Sequence, residues 1–124
     1  LVIEDVPAVL LSIRIILAGV GHKVTCAKNG IAGLRLLRET SYDIVVSDIW
    51  MPGLNGVEII KQGRASSPNT RFLAITGGNP NGSDRLLASA PTKFGADAIL
   101  LKPFEKSELV GAVAGLLAQT QALQ

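Results

Sequence analysis

The stretch that most limits the fold is Ile44-Val45-Val46, which runs without alternation into Ser47-Asp48. A half-exposed strand alternates apolar and polar residues. A continuous β-favouring run belongs to a strand covered on both faces, as in parallel sheets. A strand over 42–47 is therefore expected, and helices must supply both covers. The remaining sequence provides them in strict alternation. Further strands are expected over 1–3, 23–27, 71–75 and 98–101. The abrupt apolar start predicts a strand already under way, with a few residues upstream.

The first helix should open at Pro7, because proline suits the first helical turn. Val9, Ile13, Ile16 and Val20 would form its core stripe, and Gly21 would end it. Asn29-Gly30 leads into a second helix with Ile31, Leu34 and Leu37 on one side. A third starts at Val57 and runs through Gly63 toward Ser66. A weak fourth, about 84–94, is interrupted by Pro91. The last covers 107–118, with Leu109, Val113, Leu116 and Leu117 inward. Five strands alternating with five helices imply an α/β fold joined by right-handed crossovers. One doubly wound order for such a chain is 2-1-3-4-5, and the expectation is this flavodoxin-like (βα)5 architecture with a five-stranded parallel sheet. No linker or repeat divides the chain, so 1–124 reads as one domain, and the polar tail 119–124 marks its end or the start of a linker.

Composition narrows the function. Apolar residues make up 48% of the 124 residues and charged residues 18%, which suits an aliphatic globular core. The net charge is only +2, with Lys and Arg spread along the chain, so no nucleic-acid stripe is expected. No apolar run reaches the roughly 18 to 20 residues of a membrane span. No basic start precedes an apolar signal segment, which makes the cytoplasm the default location. Cys26 and His22 are the only residues of their kinds. They read as a buried thiol and a solvated turn histidine, and they exclude a zinc or Cys-His centre.

In sheets of this kind the chemistry gathers at the carboxyl ends of the strands, near the point where strand order reverses. Those ends carry Glu4-Asp5, Asp48, Thr76 and Lys102. The first and third strands would be neighbours, so Glu4, Asp5 and Asp48 should converge. Three close carboxylates repel one another and call for a cation. An oxygen-only ligand set with solvent access suits Mg²⁺. Lys102 adds a fixed positive charge and Thr76 a hydroxyl donor. A carboxylate nucleophile, a metal, a cation and a donor are the parts that move a phosphoryl group onto a carboxylate. Each residue alone has an ordinary reading: Glu4-Asp5 as a helix cap, Lys102 as a surface charge, Thr76 as a polar strand end. Their joint occurrence on one edge favours the site.

The chain resembles the receiver domain of response regulators, the CheY-like phosphoacceptor module of two-component signalling. The matching pieces are VIEDV at 2–6, SDIWMPGLNG at 47–56, AITGG at 74–78 and LLKPF at 100–104. The resemblance implies Asp48 as the phosphoacceptor, converted to 4-aspartylphosphate. It implies Asp5 as a direct Mg²⁺ ligand, Glu4 acting through water, and the Trp50 carbonyl as another ligand. Thr76 would be the switch hydroxyl and Lys102 the counter-ion. The Trp50 side chain would either shield the acyl phosphate or pack on a neighbouring loop, while Pro52 and Gly56 keep the loop in shape.

The implied partners are a histidine kinase or a histidine phosphotransfer protein and an output partner the sequence does not name. A weak homodimer is left open, and neither nucleic acid nor membrane is expected to bind this domain directly. Leu11, Arg14 and Ile15, on the side of the first helix opposite its core stripe, are the expected donor-docking residues. Three features depart from the family pattern: Ile99 replaces an aromatic three positions before Lys102, the stretch over 77–84 is long, and Pro91 falls in the fourth helix. They point to an output unlike that of common transcription-factor receivers. The alternatives are a pseudo-receiver that docks without being phosphorylated and an aspartate-based phosphatase. The intact set of Glu4, Asp5, Asp48, Thr76 and Lys102 speaks against the first. Trp50 speaks against the second, because such enzymes place a second Asp there. The domain is thus expected not to be an enzyme beyond its own phosphorylation and dephosphorylation.

Overall fold

The computed structural model describes residues 1–77 and 95–122. Among these, five strands and four helices follow in order: β1 (Val2–Ile3), α1 (Pro7–Gly19), β2 (Cys26–Ala27), α2 (Gly30–Glu39), β3 (Ile44–Asp48), α3 (Gly56–Ser66), β4 (Arg71–Thr76), β5 (Ala98–Leu101) and α4 (Lys106–Ala122). All strand pairs are parallel, in the order β2-β1-β3-β4-β5. This is the flavodoxin-like sheet expected from the sequence. The expected helix at 84–94, Pro91 and all but the first residue of the long stretch 77–84 lie outside the described residues.

The central strand behaves as its apolar run requires. Ile44 to Asp48 are all buried, and the side chains part by alternation into two layers. Val45, Phe72 and Ala74 pack with Leu34 and Leu37 of α2 and with Ile59 and Ile60 of α3. Val2, Val46, Leu73 and Leu100 pack with Ile13 and Leu17 of α1 and with Leu109, Val113 and Leu116 of α4. Asn29 and Asn55 each accept a backbone N–H with Oδ1, from Ala32 and Glu58 respectively, and so start α2 and α3. Pro7 opens α1, as expected.

Two core assignments are corrected. Val20 is half exposed because α1 ends at Gly19, leaving Val20 as its cap. Leu17, one turn after Ile13, completes the buried stripe instead. Ile31 is 66% exposed. The face of α2 that meets the sheet is set by Gly30 and Gly33, which leave room for close approach. A Cβ at Gly33 would collide with the Ile3 side chain, so Ile31, next in sequence to Gly30, turns outward. The second strand is also shorter than the 23–27 expected. The Thr25 carbonyl still accepts the Val2 N–H at 2.8 Å, but this edge strand has a partner on one side only.

Beneath β4 and β5 lies an ion cluster that the sequence reading did not single out. Asp97 Oδ2 accepts the Phe72 N–H at 2.8 Å, and Oδ1 pairs with Arg64 at 2.9 Å and Arg71 at 3.5 Å. The Arg64 guanidinium also lies 5.3 Å from the centre of the Phe72 ring. Asp97 thus ties the start of β5 to the start of β4 and to α3. Asp97→Ala would leave a buried N–H and two arginines without their acceptor. It should cost about 1–3 kcal/mol, read as a lower urea midpoint at unchanged slope, with Asp97→Asn recovering part of the loss.

Candidate functional site

The site follows from strand periodicity. Val2, Val46 and Leu100 share one core layer. Glu4, Asp48 and Lys102 each stand two residues further on, so they continue that face past the carboxyl edge of the sheet. Lys102 Nζ lies 3.0 Å from Glu4 Oε2 and 3.2 Å from Asp48 Oδ2. The sequence foresaw a lysine near Asp48. It did not foresee that Glu4 would share it, although their common parity carries that signal.

Glu4 is almost completely buried, and its Oε1 accepts the Val6 N–H at 3.2 Å. Burial raises its carboxyl above the usual range, against the hydrogen bond from Lys102, and the Asp48 charge adds to the rise. Burial alone would lower the Lys102 ammonium. The hydrogen bond to Glu4 and the charges of Asp48 and Glu4 outweigh burial and raise it above the usual lysine value.

Asp5 sits beside this pair. Carboxylate oxygens of Glu4, Asp5 and Asp48 all lie within 4.8 Å of one another. Asp5 does not cap α1, whose cap residue Val6 has no side-chain bond. One ammonium faces three carboxylates here, and the remaining negative charge suits a hard divalent cation held by oxygen ligands.

The loop after β3 is fixed by a close approach. Gly56 N–H donates to the Ile49 carbonyl at 3.0 Å. A Cβ on Gly56 would collide with the Asp48 carbonyl oxygen and the Ile49 Cα, so only glycine lets α3 start this near the end of β3. Met51 is buried and Trp50 is 39% exposed. The indole Nε1–H donates to Thr76 Oγ1 at 2.9 Å. Neither role considered for the Trp50 side chain, a shield or a packing contact, anticipated this bond. Thr76 is fully buried at the end of β4, and its carbonyl accepts the Lys102 N–H at 2.8 Å. The Lys102–Pro103 peptide bond is cis. Ile99, in the position expected to differ, is partly buried against the layer shared with α2 and α3. Leu11 and Ile15 are 46% and 60% exposed, and Arg14 is exposed with them, on the helix that begins two residues after Asp5. They are not part of the carboxylate cluster. Among the described residues no helix is long and apolar enough to cross a membrane.

Residues 1–114 match the family model of the response regulator receiver domain. The chain belongs to that family. It is 35% identical over 120 residues to the response regulator MprA of Mycobacterium sp. strain KMS, covering 97% of this chain and 50% of that protein. It is 34% identical over 120 residues to the transcriptional regulatory protein FixJ of Bradyrhizobium diazoefficiens, covering 97% of this chain and 57% of that one. The chain therefore spans about half the length of these curated relatives. The fold is shared with a CheY-like receiver domain protein from Methanospirillum hungatei, with a TM-score of 0.87 at 22% identity, over 99% of this chain and 95% of that one. Receiver domains are the signalling switches of two-component systems rather than enzymes acting on separate substrates, and they bind Mg²⁺ in an acidic pocket.

The carboxylate cluster leads to a direct expectation. A cation that binds only the folded receiver domain stabilises it, by about 1.4 kcal/mol at ten times its dissociation constant. Thermal unfolding should therefore shift upward with added Mg²⁺. Asp5→Asn should abolish that shift while leaving the metal-free protein no less stable, because it removes repulsion without removing a partner of Lys102. A Mg²⁺ shift that survived Asp5→Asn would place the ion elsewhere.

Proposed function

We propose that this receiver domain is a phosphorylation-controlled switch whose acceptor is Asp48. The observation that carries the reading is the convergence of Glu4, Asp5 and Asp48 within 4.8 Å, with Lys102 bridging two of them. An Asp48 carboxylate oxygen would attack the phosphorus of a phosphohistidine. The new O–P bond forms as the P–N bond breaks, and the imidazole leaves and takes up a proton. Glu4, Asp5, Asp48 and the Trp50 carbonyl are the groups that would hold Mg²⁺, with Glu4 acting through water. The ion would supply positive charge for the phosphoryl oxygens. Lys102 would meet the new dianion as its counter-ion, and Thr76 would donate its hydroxyl to it.

Asp48→Asn should keep the fold and give no phosphate adduct with acetyl phosphate and Mg²⁺, read by intact mass. Wild type should gain one phosphoryl group. If wild type gained none under conditions where Mg²⁺ binds, the domain would be a docking module that is never phosphorylated.

Response regulators interact with histidine kinases and with output domains. For this chain we place the donor's docking surface on the exposed face of α1, at Leu11 and Ile15 with Arg14 at the polar rim. Two half-exposed aliphatic side chains one turn apart, beside the acidic edge, suit the groove between two donor helices. Leu11→Asp or Ile15→Asp should slow phosphotransfer from the cognate donor at least about tenfold, on the order of 1.4 kcal/mol of transition-state binding. Phosphorylation by acetyl phosphate, which needs no docking, should hardly change. Equal slowing with both sources would mean damage to the site rather than to docking.

A further inference from the structure

The bond between Trp50 and Thr76 constrains more than the indole. A threonine hydroxyl has one proton to donate and can accept through its lone pairs. Here Oγ1 accepts the Trp50 Nε1–H at 2.9 Å. Its own proton must then point away from the ring. Thr76 is fully buried, which closes off bulk water as the other partner. It stands one residue beyond Ile75, which is in register with Asp48 on the neighbouring strand. A Cβ at Gly77, the next residue, would come within 2.5 Å of the Lys102 Cβ, so the chain leaving Thr76 passes against the lysine that bridges Glu4 and Asp48. The indole thus holds the hydroxyl from one side, while the next residue runs against the lysine of the carboxylate cluster.

We propose that Trp50 is a positioning residue of the switch. Its indole N–H holds the Thr76 hydroxyl as a donor toward the phosphoryl group, and the two bonds in series carry the state of Asp48 to the surface. The role rests on Asp48 being the phosphoacceptor. Donors in series polarise one another, so each bond strengthens the other by roughly 10–30%. When phosphoryl oxygens accept a hydrogen bond from the Thr76 hydroxyl, Oγ1 becomes a better acceptor and tightens its hold on the indole. Trp50, 39% exposed, is then the member of this series that a partner can touch. The residue also joins both sides of the centre: its carbonyl belongs to the groups proposed to hold the cation, and its side chain to the hydroxyl that reads the phosphoryl group. Ile99 is aliphatic and packed in the core layer, so it can take no part in such a series.

Beryllofluoride with Mg²⁺ is a phosphoryl stand-in whose affinity can be measured by calorimetry on the whole chain. Four proteins form the test: wild type, Trp50→Phe, Thr76→Val and the double variant. Trp50→Phe keeps an aromatic ring at this position and removes the N–H donor. It should weaken beryllofluoride binding three- to tenfold in the wild-type background and less than twofold in the Thr76→Val background. Trp50 is the only tryptophan, so its indole N–H gives a single resonance. That resonance should move downfield and exchange more slowly when wild type binds beryllofluoride, and should do neither in Thr76→Val. The same loss in both backgrounds would show that the ring acts alone as a cover, and no loss in either would remove Trp50 from the switch. Both results overturn the proposal. Failure of wild type to bind beryllofluoride while still binding Mg²⁺ would overturn the phosphoacceptor reading, and this proposal with it.

Discussion

The site depends on one ammonium shared by two carboxylates. Lys102 Nζ lies 3.0 Å from Glu4 and 3.2 Å from Asp48. Glu4 is among the most completely buried side chains of the chain. Burying a lone ionised carboxylate is strongly unfavourable. Pairing it with Lys102 makes its position tolerable without adding much net stability, because desolvation offsets most of the Coulomb gain of a buried pair. The bridge also crosses the sheet: Glu4 follows β1, Asp48 ends β3 and Lys102 follows β5, the strand at the far edge. Its span requires the strand order and the register together. A slip of one residue in β5 would turn Lys102 to the other layer.

The same alternation divides the labour between the two faces. Even-numbered positions on β1, β3 and β5 lead into the carboxylate–lysine cluster above the α1–α4 layer. On β4 the even positions Phe72 and Ala74 belong to the α2–α3 layer, and Thr76 continues that face to its end. The hydroxyl therefore approaches the edge from the side where α3 begins, which is where Trp50 meets it. Gly56 is what permits this nearness, since any larger residue would push α3 away from the end of β3.

Much of this was legible in the sequence, because it depends on periods of two and 3.6 and on which residues end the strands. The run Ile44 to Val46 called for a sheet covered on both faces, the strict alternation of strands and helices suited the doubly wound order, and that order brought Glu4, Asp5 and Asp48 together. The errors fell where a stripe meets a helix end. Val20 keeps the period but lies past the last turn, and Ile31 keeps an apolar identity while Gly30 and Gly33 decide which face meets the sheet. What could not be read were side chains that reach across elements. Asp97 accepting from Phe72 and two arginines, and Trp50 donating to Thr76, join residues 25 or more positions apart with no periodic pattern linking them. A half-exposed tryptophan has many places to lie, and its one polar atom chose among them.

Charge is the reason such an assembly would respond to the proposed phosphorylation. Glu4, Asp5 and Asp48 bring three negative charges against the single charge of Lys102. The burial that pushes Glu4 toward its neutral form is one response to that imbalance. A divalent cation is another, and it would cancel the remaining two charges. In the proposed reaction the monoanion of Asp48 becomes close to a dianion. That change competes for Lys102, which cannot hold Glu4 and meet the new charge equally well. The shared ammonium that makes the resting site tolerable is thus the group the modified site would draw on most strongly. Movement of Lys102 toward Asp48 would be felt through its backbone N–H, bonded to the Thr76 carbonyl at 2.8 Å. The proposed charge change at β3 would in this way reach the end of β4 through the backbone of Lys102 before any partner arrives.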